Sequence, residues 1–214
     1  MDYASDDVNP AEPGLYARRG KRVLDVVLAL IAAPFVGLTV AVLAVIVRRD
    51  GGPAFFGHPR VGKGGRRFTC WKIRTMCVDA DAQLERHLSG DPDARAEWNE
   101  AQKLRQDPRI TAFGAMLRAT SLDELPQVWN ILRGDMSFVG PRPFTPEQQH
   151  LYHGRSYYGL RPGLSGYWQV GDRNDASFAA RAVHDARYAR DISFATDLRV
   201  IFKTVLVVLR GTGR

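Results

Sequence analysis

Hydrophobic and polar positions divide the chain into three regimes. From Val23 to Val47 the sequence reads VLDVVLALIAAPFVGLTVAVLAVIV, an apolar run whose only charge is Asp25. Runs of this length and composition form membrane helices. Pro34 stands near the middle, where its missing N–H and its clash with the carbonyl of Leu30 kink a helix. Two geometries answer to that pattern. One is a tilted straight span that tolerates the proline. The other is a pair of arms of about a dozen residues, roughly 18 Å each at the helical rise, which enter and leave by the same leaflet. Basic residues flank both ends, Arg18, Arg19, Lys21 and Arg22 before the run and Arg48, Arg49, Arg60, Lys63, Arg66 and Arg67 after it. The bias of cytoplasmic loops toward Lys and Arg therefore points both ends to the same side.

The second regime is amphipathic. Near the C-terminus, DLRVIFKTVLVVLR sets Leu198, Ile201, Phe202, Val205, Leu206 and Leu209 at helical intervals with Arg199, Lys203 and Arg210 between them. This stretch is too short and too charged to span. It fits an interfacial helix whose basic side chains reach toward phosphates or a core helix with one buried face. The third regime is mixed. Gly51-Gly52-Pro53 and Gly62 to Gly65 punctuate short runs such as Phe68 to Ile73, which predicts a small hairpin. The polar section from Asp79 to Gln106 predicts one or two solvated helices, with Asp91 as a cap and Pro92 at a first helical position. The opening MDYASDDVNPAEPG lacks the basic start, apolar core and small-residue exit of a signal peptide, and residues 1–16 are expected to form a disordered tail.

At 214 residues the chain suits one ordinary domain with an appendage. Its net charge is +7, and because Asp2, Asp6, Asp7 and Glu12 precede the first basic residue, the excess from Tyr16 onward rises to +11. Such an excess suits nucleic acid, an acidic membrane surface or a phosphorylated substrate. Much of it flanks apolar segments instead of forming a basic stripe with aromatic stacking residues, which argues against nucleic acid. Cys70 and Cys77 have neither metal-ligand nor disulfide spacing, as in a reducing compartment. Asp79 and Asp81 form an Asp-x-Asp pair able to hold a metal against a nucleotide diphosphate, although acids at a helix start have a commoner reason in the helix dipole. His150 and His153 lack further ligand spacing and read as surface histidines.

The stretch TSLDELPQVWNILRGDMSFVGPRP, Thr120 to Pro143, places Asp123 and Glu124 beside a helix start. Ser121 and Glu124 have the spacing of a capping box. Pro126 complicates it, and the helix can begin at Pro126 itself. In either register the carboxylates stand near free N–H groups that favour anions. Neighbouring side chains on a helix diverge by roughly 100°, so the two should have different roles, one a nucleophile and the other a Mg²⁺ ligand. Chemistry on a diphosphate also needs cations nearby, and Arg118, Arg133 and Arg142 are the candidates.

These residues sit within longer motifs. KRVLDVVLALIAAP, GGPAFFGHPRVGKGG, WKIRTM, DPRITAFGAMLRATSLDELPQVWNILRGDMSFVGPRP, RPGLSGYWQVGDRN and HDARYARDISFATDLRVIFKTVLVVLRG resemble, in this order over about residues 20 to 212, the bacterial sugar transferases, monotopic polyprenyl-phosphate phosphoglycosyl transferases. The resemblance implies transfer of a sugar 1-phosphate from a UDP-sugar to undecaprenyl phosphate, with release of UMP and Mg²⁺ as cofactor. It implies two steps, with Asp123 carrying a phosphosugar ester and Glu124 as its partner, both at the metal. Lys72, Arg118, Arg142 and Arg161 match the family's basic motifs and are expected at phosphates. Pro34 matches the family's re-entrant kink, with Ala33 where many members carry serine. The expected fold is α/β of the α+β kind. A mostly helical catalytic domain with a short hairpin spans residues 50–214, behind a re-entrant helix over 17–49, and an amphipathic interfacial helix lies near the end. The expected location is the cytoplasmic face of the inner membrane. The chain resembles the short type that starts exopolysaccharide synthesis, and its closing VLRGTG resembles members that transfer galactose 1-phosphate, so UDP-galactose or UDP-glucose is the expected donor. Self-association into a homo-oligomer stays open. A membrane-anchored binding protein without turnover is the rival reading, against which the intact carboxylate pair argues.

Overall fold

A computed structural model of the chain describes residues 14–101, 104–171, 178 and 180–209. Most of the expected tail, and the GDRN and closing GTG motifs, lie largely outside these residues. Tyr16, placed in that tail by the sequence, already begins a helix. A π turn at Tyr16–Gly20 leads into α1, Lys21–Val47, and a 3₁₀ turn at Arg48–Asp50 closes it. The helix is continuous through Pro34. It is one helix long and apolar enough to cross a membrane, with most of its apolar surface facing out of the protein.

The inward stripe of α1 contains Lys21, Asp25, Ala29 and Leu43. Lys21 Nζ lies 2.7 Å from Asp197 Oδ2. Arg22 donates to the carbonyls of Ile131 and Leu132. Asp25 Oδ1 accepts from Ser137 Oγ at 2.9 Å and from Phe138 N–H at 3.0 Å. At the other end, Leu43 packs with Ile73 and Leu117, and Arg74 donates to the carbonyl of Val47. Both ends of α1 are therefore docked on the same domain.

That domain is built on an antiparallel hairpin, β1 (Phe55–Val61) and β2 (Arg67–Ile73), as the sequence predicts. Phe56 pairs with Lys72 and Arg60 with Phe68. The polar section forms α2, Ala80–Gly90, and α3, Pro92–Ala101. Asp91 Oδ1 accepts from the N–H groups of Asp93 and Ala94 between them, the cap expected there. Helix α4, Ala112–Ala119, starts at Thr111, whose Oγ1 accepts from Gly114 N–H. A 3₁₀ turn at Leu122–Glu124 precedes α5, Gln127–Arg133.

A second sheet was not legible in the sequence. Ser137–Val139 (β3) pairs in parallel with Gly163–Ser165 (β4), and three-residue strands are too short to show a period. The two Gly residues beside them allow the chains to touch. A Cβ on Gly163 would lie 2.1 Å from Gly140 N, and one on Gly140 would lie 2.3 Å from Arg161 O. This contact anchors the Gly-Pro-Arg-Pro loop. The chain continues through α6 (Ser156–Gly159), α7 (Tyr167–Val170), α8 (Ala180–Asp191) and α9 (Phe194–Leu209). Helix α9 combines both sequence readings: Asp197 and Val200 are buried, whereas Leu198, Phe202, Val205 and Leu206 are exposed.

Two buried clusters hold the parts together. Ala29, Cys70, Val128, Ile131 and Met136 join α1, the hairpin and α5. Val61, Phe144, Tyr152 and Tyr157 close the aromatic side. Because backbone atoms cannot yield as side chains do, Gly163→Ala is expected to cost about 3 kcal/mol, the upper range for overpacking. Gly159→Ala, where a Cβ meets nothing within 4 Å, is the control. Thermal unfolding of the two variants in detergent checks the difference.

Candidate active site

The carboxylate pair does not sit in a capping box. Ser121 has φ +56° and makes no capping hydrogen bond, and α5 begins at Gln127 behind Pro126. A left-handed serine is costly for an L residue, and Ser121 is the one non-glycine residue with positive φ among the described residues. It turns the chain so that Asp123 and Glu124 occupy the 3₁₀ turn on the way into α5. The sequence proximity of Ser121 to Glu124 thus serves a turn and not a cap.

Asn130 ties this turn to the hairpin. Its Oδ1 accepts from Trp71 N–H at 3.1 Å and its Nδ2 donates to Thr69 O at 2.8 Å. With α5 fixed against β2 in this way, Lys72 Nζ lies 2.7 Å from Glu124 Oε1 and 3.6 Å from Asp123 Oδ2. Asp123 is 6% exposed. Burial raises its carboxyl above the usual range, the Glu124 charge raises it further, and Lys72 and Arg118 oppose both. Arg118 comes from α4, which packs so closely that a Cβ on Gly114 would lie 2.0 Å from Thr75 O. The Arg118 Nε then donates to Thr75 Oγ1 at 2.9 Å.

These groups line a cavity of about 300 Å³ that holds Lys72, Arg118, Asp123, Glu124 and Arg142 together. Of the expected basic residues, Arg161 is elsewhere. Its Nε donates to Gly134 O, and it lines a separate cavity with Lys63, Arg66, Arg67 and Arg133. Arg133 likewise stands apart from the dyad, 3.5 Å from Asp135. Asp79 and Asp81 lie at the start of α2, outside the dyad's cavity, and His150 and His153 are exposed. The Cys70 thiol is buried and pushed up to about 11 by desolvation.

Sequence reasoning missed three contributors: Arg60 and His58, which line the cavity, and Thr75, which holds Arg118. Phe56, His58 and Arg60 alternate along β1. Period two puts them on one face, which could have marked Arg60 once β1 was paired. On the opposite side of the hairpin, an apolar groove of about 510 Å³ runs between α1 and α5, lined by Ala33, Phe55, Trp71, Pro126 and Trp129 among others.

A half-buried carboxylate pair bridged by one lysine, inside a cationic cavity beside an apolar groove, suits phosphate chemistry at a lipid surface. Residues 16–211 match the family Bacterial sugar transferase, and the chain belongs to that family. It is 46% identical to the UDP-galactose-lipid carrier transferase of Erwinia amylovora and 44% identical to the undecaprenyl-phosphate galactose phosphotransferase of Salmonella typhimurium, over 90% of this chain in each case. It spans 41% of the length of each of these two relatives. It is also 44% identical to the exopolysaccharide production protein ExoY of Rhizobium meliloti, over 90% of this chain and 87% of that one.

The raised Asp123 carboxyl carries a stability consequence. A carboxyl whose folded-state pKa is raised contributes most below its unfolded value, and that contribution is lost as pH rises through the folded value. At neutral pH the Asp123 charge therefore opposes folding. Asp123→Asn is expected to unfold at a higher temperature than the wild type at pH 7. The advantage should vanish toward pH 3. Melting curves across that range check it.

Proposed function

We propose that the chain transfers a sugar 1-phosphate from a UDP-sugar to undecaprenyl phosphate, releasing UMP and leaving undecaprenyl-diphosphate-sugar, the first membrane step of exopolysaccharide or other glycoconjugate synthesis. The observation that carries this reading is the Asp123–Glu124 pair, ion-paired through Lys72 in a basic cavity, in a chain related to named sugar-phosphate transferases. UDP-galactose is the first donor to test, because both of those relatives carry galactose in their names.

In this reading Asp123 is the nucleophile. Its carboxylate oxygen forms a bond to the sugar-bearing phosphorus as the bridging P–O bond breaks, and the electron pair leaves with UMP. The lipid phosphate then attacks the same phosphorus and returns the Asp123 carboxylate. Two smaller displacements replace one encounter between polyanions. Burial helps because a poorly hydrated carboxylate attacks more readily, and Lys72 opposes the rise that burial causes in its pKa. Arg118, pinned by Thr75, faces the charge that develops on the phosphoryl oxygens.

Two adjacent carboxylates facing one cavity, one of them paired closely with Lys72, are a fitting oxygen donor set for Mg²⁺. Asp123 and Glu124 would hold the ion together with substrate phosphate oxygens. The metal would supply charge neutralisation at the diphosphate.

The membrane segment in this reading stays in the cytoplasmic leaflet of the inner membrane. The support is that Lys21, Arg22, Asp25, Leu43 and Val47 all contact one domain, which a helix crossing away from that domain could not do. The apolar groove beside Ala33, Trp71 and Trp129 offers a path for a polyprenyl tail toward the dyad.

Purified protein with Mg²⁺, undecaprenyl phosphate and a panel of UDP-sugars is expected to release UMP with one sugar. Without the lipid, release should stop at a stoichiometric burst, and Asp123→Asn should show neither phase. Turnover by that variant would exclude the covalent step. In intact cells, a tag at residue 1 is expected to resist externally added protease, and its cleavage would rule out the re-entrant path.

A further inference from the structure

A second cavity of about 200 Å³ adjoins the first. Arg60, Lys72, Glu124 and Arg142 line both, whereas Asp123 lines only the first and Arg181, from α8, only the second. The guanidinium of Arg181 lies 4.4 Å from the ring centre of Trp168 and 4.6 Å from that of Phe178. Arg142 lies 5.7 Å from the same Trp168 ring. Stacking on rings aims these planar groups without consuming their N–H donors. The Nε of Arg181 and the Nε1 of Trp168 are buried and make no hydrogen bond among the described residues.

The charges around this cavity do not balance. Lys72 is engaged by Glu124 and Asp123. No carboxylate forms an ion pair with Arg60, Arg142 or Arg181 among the described residues. Asp185 is the acid beside Arg181, but burial raises its carboxyl to about 7, so it is a weak counter-charge at neutral pH. Desolvation and the neighbouring guanidiniums lower both Arg60 and Arg181, the latter to about 10. Gathering like charges with orphaned donors costs folding energy, and an anion with several acceptor oxygens removes that cost. A phosphate monoester, with close to two negative charges at neutral pH, fits the donors.

The cavity's position selects which phosphate. Successive residues of a strand face opposite sides. Trp71 lines the apolar groove against α1, and Lys72 lines the arginine cavity. No residue of α1 lines the arginine cavity, whereas Ala33, Val36, Gly37 and Val40 line the groove, so the arginines open away from the lipid-facing groove, where a water-soluble group arrives. At about 200 Å³ the cavity is smaller than the roughly 300–1,000 Å³ that encloses a whole ligand, which suits a phosphate whose nucleoside lies outside.

We propose that Arg60, Arg142 and Arg181 form the site for the phosphate of the departing nucleotide. This rests on the reading of Asp123 as nucleophile. As the bond from Asp123 to the sugar-bearing phosphorus forms and the bridging P–O bond breaks, the electron pair and the new charge move onto the nucleotide phosphate oxygen inside this arginine cluster. Arg60 and Arg181 thus stabilise the leaving group, while Lys72 serves the nucleophile and Arg118 the phosphoryl oxygens.

The test is calorimetric titration of the full-length wild type and Arg181→Gln in detergent with UMP, with uridine and with undecaprenyl phosphate. Arg181→Gln is expected to weaken UMP by about tenfold or more, as loss of a charge-assisted hydrogen bond does, and to leave uridine and the lipid phosphate unchanged. Arg181→Lys should recover part of the loss. Unchanged UMP affinity would overturn the assignment, and so would a loss confined to undecaprenyl phosphate. If Arg181→Gln fails to fold, Arg60→Gln gives the same reading. The measurement is of binding, so it stays separate from the proposed reaction: absence of turnover by the wild type would count against the reaction, while an arginine-dependent UMP affinity would still stand.

Discussion

Two carboxylates side by side on a half-buried turn repel each other and lose hydration, and they stay charged only if cations are fixed beside them. Much of the domain packed against α1 answers that constraint. The hairpin carries Lys72 to 2.7 Å from Glu124 and 3.6 Å from Asp123. Asn130 bonds α5 to β2 so that this approach is held. Helix α4 lies directly on the Thr75 backbone and delivers Arg118. The parallel pairing of β3 with β4 locks the loop that bears Arg142. Each of these contacts is a packing feature, and together they set the charge around one aspartate.

The apolar N-terminal helix is part of the same construction. Its charged residues bond within the protein. Lys21 joins Asp197, which also accepts from Tyr16 and Tyr188, while Arg22 and Asp25 bond the end of α5 and the start of β3. A charge inside an apolar run marks a partner within the protein, and Asp25 is such a case. The outward side chains, with those of α9, leave an apolar surface on the same body that holds the dyad. The proposed chemistry on a lipid phosphate would need both in one rigid unit.

Legibility followed the range of the interactions. The hairpin, the α2–Asp91–Pro92 junction and the apolar helix have local signatures, and each appeared where the pattern put it. The Ser121–Glu124 spacing misled, because the same residues suit a cap and a strained turn, and only the packing of α5 against the hairpin selects the turn. Arg161 matched a motif yet bonds Gly134 O in another cavity. Arg60 and Arg181, 121 positions apart in number, meet only after β1 and α8 close over the same space.

The sequence by itself determined the membrane-seeking helix, the two carboxylates and the family, since hydrophobic periodicity, adjacent residues and ordered motifs are all properties of the linear chain. It also determined the basic excess that any anionic partner would meet. Tertiary structure decided which cations that excess places at the dyad, and that Trp71 and Lys72, neighbours in the chain, open onto an apolar groove and an arginine cavity on opposite faces. The reason is that charge and burial act through distances in space, and those distances exist only once helices and strands far apart in number have packed together.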